Sequence, residues 1–282
     1  VTPEQVAATI QLLDSGATVP FIARYRKEVT QGLDDTQLRN LEERLLYLRE
    51  LEERLQTIIK SIEEQGKLSP ELQQKLVLAE TKAVLEDLYL PYKPKKTTKG
   101  QLAIAAGLLP LADKLLDDPT LTPEQEAQAF IGEGYADTKA VLDGTKYILM
   151  ERFAEDAELL ARVRPYFYQN AHVMSKVVAG KEDAAAKFKV YFDFHEALNT
   201  IPSHRALAVF RGRNEAFLSV TVNIPDLDST VLHPCETLIA QQFALSQQQR
   251  AADAWLFEVV KWTWRIKLQP HLESSLLSEL KN

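Results

Sequence analysis

This sequence predicts a mainly α fold: a helical body with one long strut helix, an inserted helix-turn-helix-like module and a small β element. Three observations carry that prediction. Apolar residues recur every three or four positions from Asp35 to about Gln65, Thr-Pro and Ser-Pro helix starts recur along the chain, and clear period-two alternation is confined to the region of Leu218.

The first element is "TPEQVAATIQLLDSG", with Thr2 as N-cap, Pro3 at the first helical position, Gln5 placed for the reciprocal capping bond and Gly16 as the stop. Val6, Ile10 and Leu13 then share one face. In "TVPFIARYRKEVTQGLDD", Thr18 caps a short helix expected to turn Phe21, Ile22 and Tyr25 to the core and Arg24 and Lys27 outward, and Gly32 leads into the next helix. Whether these cations meet RNA or the nearby acids Asp34, Asp35 and Glu42 stays open at this point.

Leu38, Leu41, Leu45, Leu48, Leu51, Leu55, Ile58 and Ile62 then mark one helix of roughly 45 Å at 1.5 Å per residue. Glu52 interrupts the heptad, which favours an intramolecular strut over a coiled-coil dimer. Glu50 and Arg54, four apart, suit an exposed pair. After Gly66, short helices are expected in "PELQQKLVLAE", "TKAVLEDLYL", "KGQLAIAAG" and "LPLADKLL", punctuated by Pro91, Pro94, Gly100, Gly107 and Pro110. "TPEQ" recurs at Thr122 as a second use of the same start signal. Two amphipathic helices are expected between Ala136 and Ala171. "FLSVTVNI" is a half-buried strand, with "HVMSKVV" at 172–178 as its pairing partner. The Trp-rich segment "QRAADAWLFEVVKWTWRIKL" carries Trp255, Val259, Trp262 and Ile266 on one stripe and Leu256, Val260 and Trp264 on a second, leaving Glu258, Lys261 and Arg265 as the polar face of a central helix. The expected division is 1–66 as the first part of the helical body, 67–130 as the inserted module and 131–282 as the second part. A start at Val1 and an end in helical pattern suggest a piece of a longer chain.

Composition narrows the function classes. One cysteine, Cys235, permits no internal disulfide, which points to a reducing, cytoplasmic setting. No run has the ~18 apolar residues of a membrane span. With 40 acids against 33 bases the net charge is -7, so nucleic acid would have to be held by a local basic patch and not by a global field.

Catalytic and cofactor signals are sparse. Neither G-x-G-x-x-G nor a P-loop is present, and "AGKED" at 179–183 lacks the glycine loop that cradles phosphate. Asp193, His195 and Glu196 in "FDFHEAL" have metal-ligating side chains without a second ligand pair, so a polar helix or loop edge is the competing reading. His233 and Cys235 flank Pro234 at a helix start, which favours a structural thiol. No enzyme, cofactor or metal is expected.

Two basic stretches remain. "YLPYKPKKTTK" sets Lys93, Lys95, Lys96 and Lys99 beside Tyr89 and Tyr92, a pattern that suits phosphate contact and base stacking. The alternative is that the tyrosines dock a linker on the core while the lysines stay solvated. "SHRALAVFRGRNE" places Arg211 and Arg213 at a helix end, where cations also complement the helix dipole.

"VPFIARYRKEVTQGLDDTQLRNLEERLLYLRELEERL", "LEDLYLPYKPKKTTKGQLAIAAGLLPLA" and "IPSHRALAVFRGRNEAFL" resemble successive signature stretches of the bacterial Tex family of transcription accessory proteins. The resemblance implies a helical N-terminal region with an embedded helix-turn-helix. It also implies further domains, a ribonuclease-H-like YqgF domain, helix-hairpin-helix units and a C-terminal OB-fold RNA-binding domain, all of which this sequence ends before, and a core similar to a eukaryotic Spt-class elongation factor. It implies a nucleic-acid-binding transcription role with RNA or DNA as partner, gives the main RNA-binding function to one of those further domains and carries over no catalytic residue; RNA polymerase is the protein partner of the rival expectation. The cations chosen for backbone contact are Lys93, Lys95, Lys96 and Lys99, followed by Arg24, Arg26, Arg211 and Arg213. The rival expectation is a protein-interaction scaffold that touches no nucleic acid.

Overall fold

Thr2 and Gln5 close the expected capping box and start α1 (Pro3–Asp14). Thr18 stands at the N-cap of the seven-residue α2 (Val19–Tyr25), though its side chain makes no capping bond. Asp34 and Gln37 form a second capping box at the head of α3 (Asp35–Glu64), the 30-residue strut, and Ser69 and Thr81 cap α4 (Pro70–Val77) and α5 (Lys82–Tyr89). These five helices belong to the first of two compact units of the computed structural model, Val1–Tyr92 and Lys93–Asn282. Residues 1–94, 97–225 and 232–279 are described.

Within the first unit, α3 serves two cores. Near its start, Leu38 packs with Val19, Ile22 and Leu33; near its end, Leu51, Leu55, Ile58 and Ile62 pack with Leu76, Leu85 and Tyr89. Between them Leu46 and Leu48 stay exposed. The predicted Glu50–Arg54 pair is replaced by two contacts with α5: Arg54 grips Glu86 with two nitrogens and Glu50 pairs with Lys82. A forked guanidinium gains two aligned bonds to the Glu86 carboxylate, which the single helical turn to Glu50 does not offer. Tyr89 is buried, shares a 2.9 Å hydrogen bond with Ser61, and is followed by Tyr92, whose carbonyl accepts from Gln65. The tyrosines of the lysine-rich stretch thus dock on the core.

In the second unit, α6 (Lys99–Ala105), α7 (Leu109–Asp117) and α8 (Pro123–Ala127) pack along α9 (Thr138–Ala154), which leads to α10 (Ala157–Asn170). Thr98 closes a third capping box, whereas the repeated Thr-Pro start at Thr122 makes no side-chain cap. The boundary between units falls between Tyr92 and Lys93, inside the 67–130 segment: α4 and α5 pack on α3, and α6 to α8 on α9.

Strand β1 (His172–Val177) lies at the centre of a three-stranded antiparallel sheet. It pairs on one side with β2 (Asp193–Ala197) and on the other, across α11 (Ser203–Asn214) in the chain, with β3 (Leu218–Asn223), Val173 opposite Val222 and Ser175 opposite Val220. The β1–β3 pairing is the expected one. β2 corrects the reading of "FDFHEAL" as a polar helix or loop edge: it is a sheet-edge strand with no residue fully buried, so no alternation marks it in the sequence.

After α12 (Pro234–Gln242), α13 (Asp253–Trp262) runs through a π-helical turn, Thr263–Leu268, into α14 (Gln269–Glu279). Trp255, Leu256, Val259, Val260 and Trp264 are buried and Glu258, Lys261 and Arg265 exposed, as the two-stripe pattern requires. Ile266, expected on the first stripe, is 48% exposed. The wider π turn shifts the residues after Trp262 around the axis and breaks the 3.6-residue period there.

Candidate nucleic-acid interface

On α2 the short helix has a single inward face. At about 100° per residue, Val19, Ile22 and Ala23 point one way and pack at the head of α3, and Phe21, Arg24 and Tyr25 point the other. Phe21 is 41% and Tyr25 61% exposed, which corrects the expectation that both face the core; two turns supply only one buried stripe, and Ile22 with Val19 fills it. The two rings lie 5.4 Å apart, and the Arg26 guanidinium sits 5.3 Å from the Phe21 ring centre while Nη1 donates to the Tyr25 carbonyl. Behind them the turn at 26–32 is braced: Gln5 Nε2 donates to the carbonyls of Thr30 and Gln31, and the buried Thr30 hydroxyl donates back to Arg26 and Lys27. Gly32 at φ 87° completes the reversal.

Arg24, Arg26 and Lys27 are exposed, and among the described residues none forms an ion pair. Of the acids that competed for them, Asp34 caps α3 and Asp35 pairs with Arg39 at 2.7 Å, while the charge of Glu42 also acts on Arg39.

The cations of the second unit are committed more deeply. Exposed Lys99 donates to the Tyr147 hydroxyl at 3.1 Å and lies 4.7 Å from that ring's centre. Tyr147 is 5.3 Å from Trp262, whose other neighbour is the buried Lys146, paired with Glu258 and Asp143. Next to Lys99, the Glu151 carboxylate accepts from the Thr98 hydroxyl at 2.7 Å and from the Gly100 amide, tying the start of α6 to α9. Lys93 is exposed; Lys95 and Lys96 lie outside the described residues. Arg211 pairs with Glu215 at 2.8 Å, and Glu215 also takes Lys187; hydrogen bonds from Lys187 and then Arg211 hold its carboxyl below the usual range. Arg213 is half-buried, with Nη1 enclosed and unpartnered among the described residues.

Other candidate chemistry does not assemble. Asp193, His195 and Glu196 are strung along β2, where His195 stacks on His172 at 4.5 Å and Glu196 binds Arg205 at 3.1 Å. Among the described residues no three His, Cys, Asp or Glu side chains are grouped to hold a metal ion. His233 Nδ1 accepts from the Cys235 amide and caps α12, and burial, then Glu236, push the Cys235 thiol up to about 12, so this pair is structural. A cleft of about 940 Å³ beside α9 and α13 is lined by Lys139, Lys146 and Lys261 but equally by Glu124, Asp143 and Glu258, which gives it no preference for an anion.

No described helix is long and apolar enough to cross a membrane. Residues 1–63 match the Tex-like protein N-terminal domain and residues 118–282 the Tex central region-like model. The chain is 58% identical to Protein YhgF of Escherichia coli over 99% of its length, and 51% identical to Transcriptional accessory protein Tex of Neisseria gonorrhoeae over 99%. It covers 37% of each of these relatives. The human S1 RNA-binding domain-containing protein 1 is 32% identical over 80% of the chain and 23% of that protein. Both matched regions, and identity to the Escherichia coli and Neisseria gonorrhoeae relatives over 99% of the chain, place it in the Tex family, to which it belongs.

Proposed function

We propose that this chain is the N-terminal scaffold region of a transcription accessory factor and contacts RNA or DNA through local basic patches, without enzymatic activity of its own. The observation that carries the reading is the trio Arg24, Arg26 and Lys27, exposed and without acid partners in a chain of net charge -7. Lys93, Lys95, Lys96 and Lys99 form the second contact segment, ahead of Arg211 and Arg213. Helices α6 and α7, joined through Gly107 at φ 85°, are the helix-turn-helix-like unit of this reading. The names of the relatives, a transcriptional accessory protein and an S1 RNA-binding domain-containing protein, support transcription and nucleic acid as the setting.

Fluorescence anisotropy against single-stranded RNA, single-stranded DNA and duplex DNA across a salt series tests it. Neutralised phosphates release counterions, so log K should fall against log salt with a slope of about -0.7 per phosphate on single strands. Substituting Lys93, Lys95, Lys96 and Lys99 together, and Arg24 with Arg26 separately, apportions that slope between the patches. No binding by the unsubstituted chain at about 50 mM salt refutes the reading. The internal commitment of Lys99 and Arg211 favours a second one, a scaffold for RNA polymerase or sister domains. Capture of core polymerase that survives nuclease treatment is its signature.

A further inference from the structure

We infer that the outward face of α2 is a stacking platform for an unpaired nucleotide strand, with Tyr25 and Phe21 receiving bases and Arg24, Arg26 and Lys27 receiving the adjoining phosphates. This deepens the nucleic-acid reading and rests on it. Large apolar side chains exposed side by side are uncommon without a partner, and here the exposed rings of Phe21 and Tyr25 stand 5.4 Å apart. From Phe21 to Lys27 the chain carries three cations and no acid. An acidic polypeptide would satisfy the cations and leave the rings in water; an apolar peptide would cover the rings and strand the cations. A nucleotide strand carries a base and a phosphate in every repeat, and so meets both halves of the surface at once.

Single strands are selected because a duplex keeps its base faces stacked inside. The Tyr25 ring is the more open of the two. Arg26 already lies over Phe21, so a base arriving there replaces one cation–π contact with stacking while the guanidinium remains within reach of a phosphate. The brace of Gln5 on the turn at 26–32 holds the cations in place before any ligand arrives, which lowers the ordering cost of binding.

The test measures anisotropy of labelled oligo-uridine RNA, oligo-thymidine DNA and a DNA duplex with the whole chain and three variants: Phe21→Ala with Tyr25→Ala, Tyr25→Phe, and Arg24→Ala with Lys27→Ala. Both rings are exposed, so their removal should leave the circular dichroism spectrum unchanged. The expected result is a loss of at least about fivefold on single strands for the double alanine variant, no loss on duplex, retention by Tyr25→Phe, and a shallower salt slope for the cation variant on every ligand. Binding by the unsubstituted chain that is indifferent to ring removal, or lost equally on duplex, overturns the platform while leaving the wider nucleic-acid reading in place. Failure of the unsubstituted chain to bind any strand removes both. Displacement of oligo-uridine by poly-glutamate at equal charge concentration assigns the surface to an acidic polypeptide and also overturns the proposal.

Discussion

Replacing Gly212 by alanine sets two known effects against each other. The residue lies in the last turns of α11, where alanine is favoured over glycine by about 1 kcal/mol. An added Cβ, however, would stand 2.5 Å from Leu218 Cδ1, 2.8 Å from Leu218 Cγ and 3.3 Å from Phe188 Cδ1. Leu218 is 2% and Phe188 4% exposed, so neither side chain can swing into solvent. Forcing a methyl into such a core costs about 1–3 kcal/mol. With two contacts roughly 1 Å too close, the upper part of that range applies, and the net loss is about 1–2 kcal/mol. For a unit of this size it lowers the melting temperature by roughly 2–8 °C. Thermal unfolding by circular dichroism measures it, with Leu218→Ala as the second arm of a cycle. In that background the methyl enters space already vacated, so Gly212→Ala should turn neutral or stabilising. Equal or higher melting temperature for the single variant, or additivity within about 0.5 kcal/mol, refutes the close approach.

Three further outcomes follow from the buried polar groups. Cys235, its thiol raised to about 12 by burial and by Glu236, should resist iodoacetamide at pH 8 in the folded chain and react fully in denaturant; rapid labelling without unfolding contradicts this. Burial, then the neighbouring His195, lower the His172 pKa; its stabilising share is therefore complete above the unfolded value near 6.5 and lost as pH falls through the folded one. The urea midpoint should drop between pH 7.5 and 5 by more in the parent chain than in His172→Phe. Burial pushes the Asp253 carboxyl up, but bonds from Arg250 and the Gln248 amide outweigh it and hold it below 3.8, so its share is present above that value and lost in more acidic solution. Asp253→Ala should cost about 1.5–3 kcal/mol, measured by urea denaturation at pH 7, and should flatten the acid limb of the stability profile.

What the sequence made legible is what local chemistry decides. The capping pair Thr2–Gln5 forms as spaced, and Leu38 through Ile62 yields one uninterrupted helix because each residue in it also satisfies its own backbone. The pairing of β1 with β3 was visible because one face of β3 is buried at every second residue. Which face of a short element meets a partner is not local. Phe21 and Tyr25 looked like core residues by type, yet α2 has a single packed face and Val19 and Ile22 fill it; for Tyr89 and Tyr92 both stacking and docking were open from the sequence, and the packing of α3 and α5 around Tyr89 decides for docking. The candidate stacking rings were thus misplaced in the sequence reading, and the signal that could have found them is their spacing of four, offset from the Val19–Ile22 face.

The acid excess that argued against nucleic acid also sharpens the site. A chain with seven more acids than bases can neutralise most of its cations at home. Along the first unit four cations are paired in this way: Arg39 with Asp35, Arg49 with Asp14, Arg54 with Glu86 and Lys82 with Glu50. Such exposed pairs each contribute little to stability, about 0–1 kcal/mol, but they screen the field of each cation at the surface. Arg24, Arg26 and Lys27 differ from these four in having no acid partner among the described residues, and they fall within four consecutive positions. An exposed cation that meets no acid in an acid-rich chain keeps its full charge for an outside anion. The Debye length of about 10 Å at 0.1 M salt confines that attraction to ligands already close to the α2 face, so contact there should depend on local geometry and not on the charge of the whole chain.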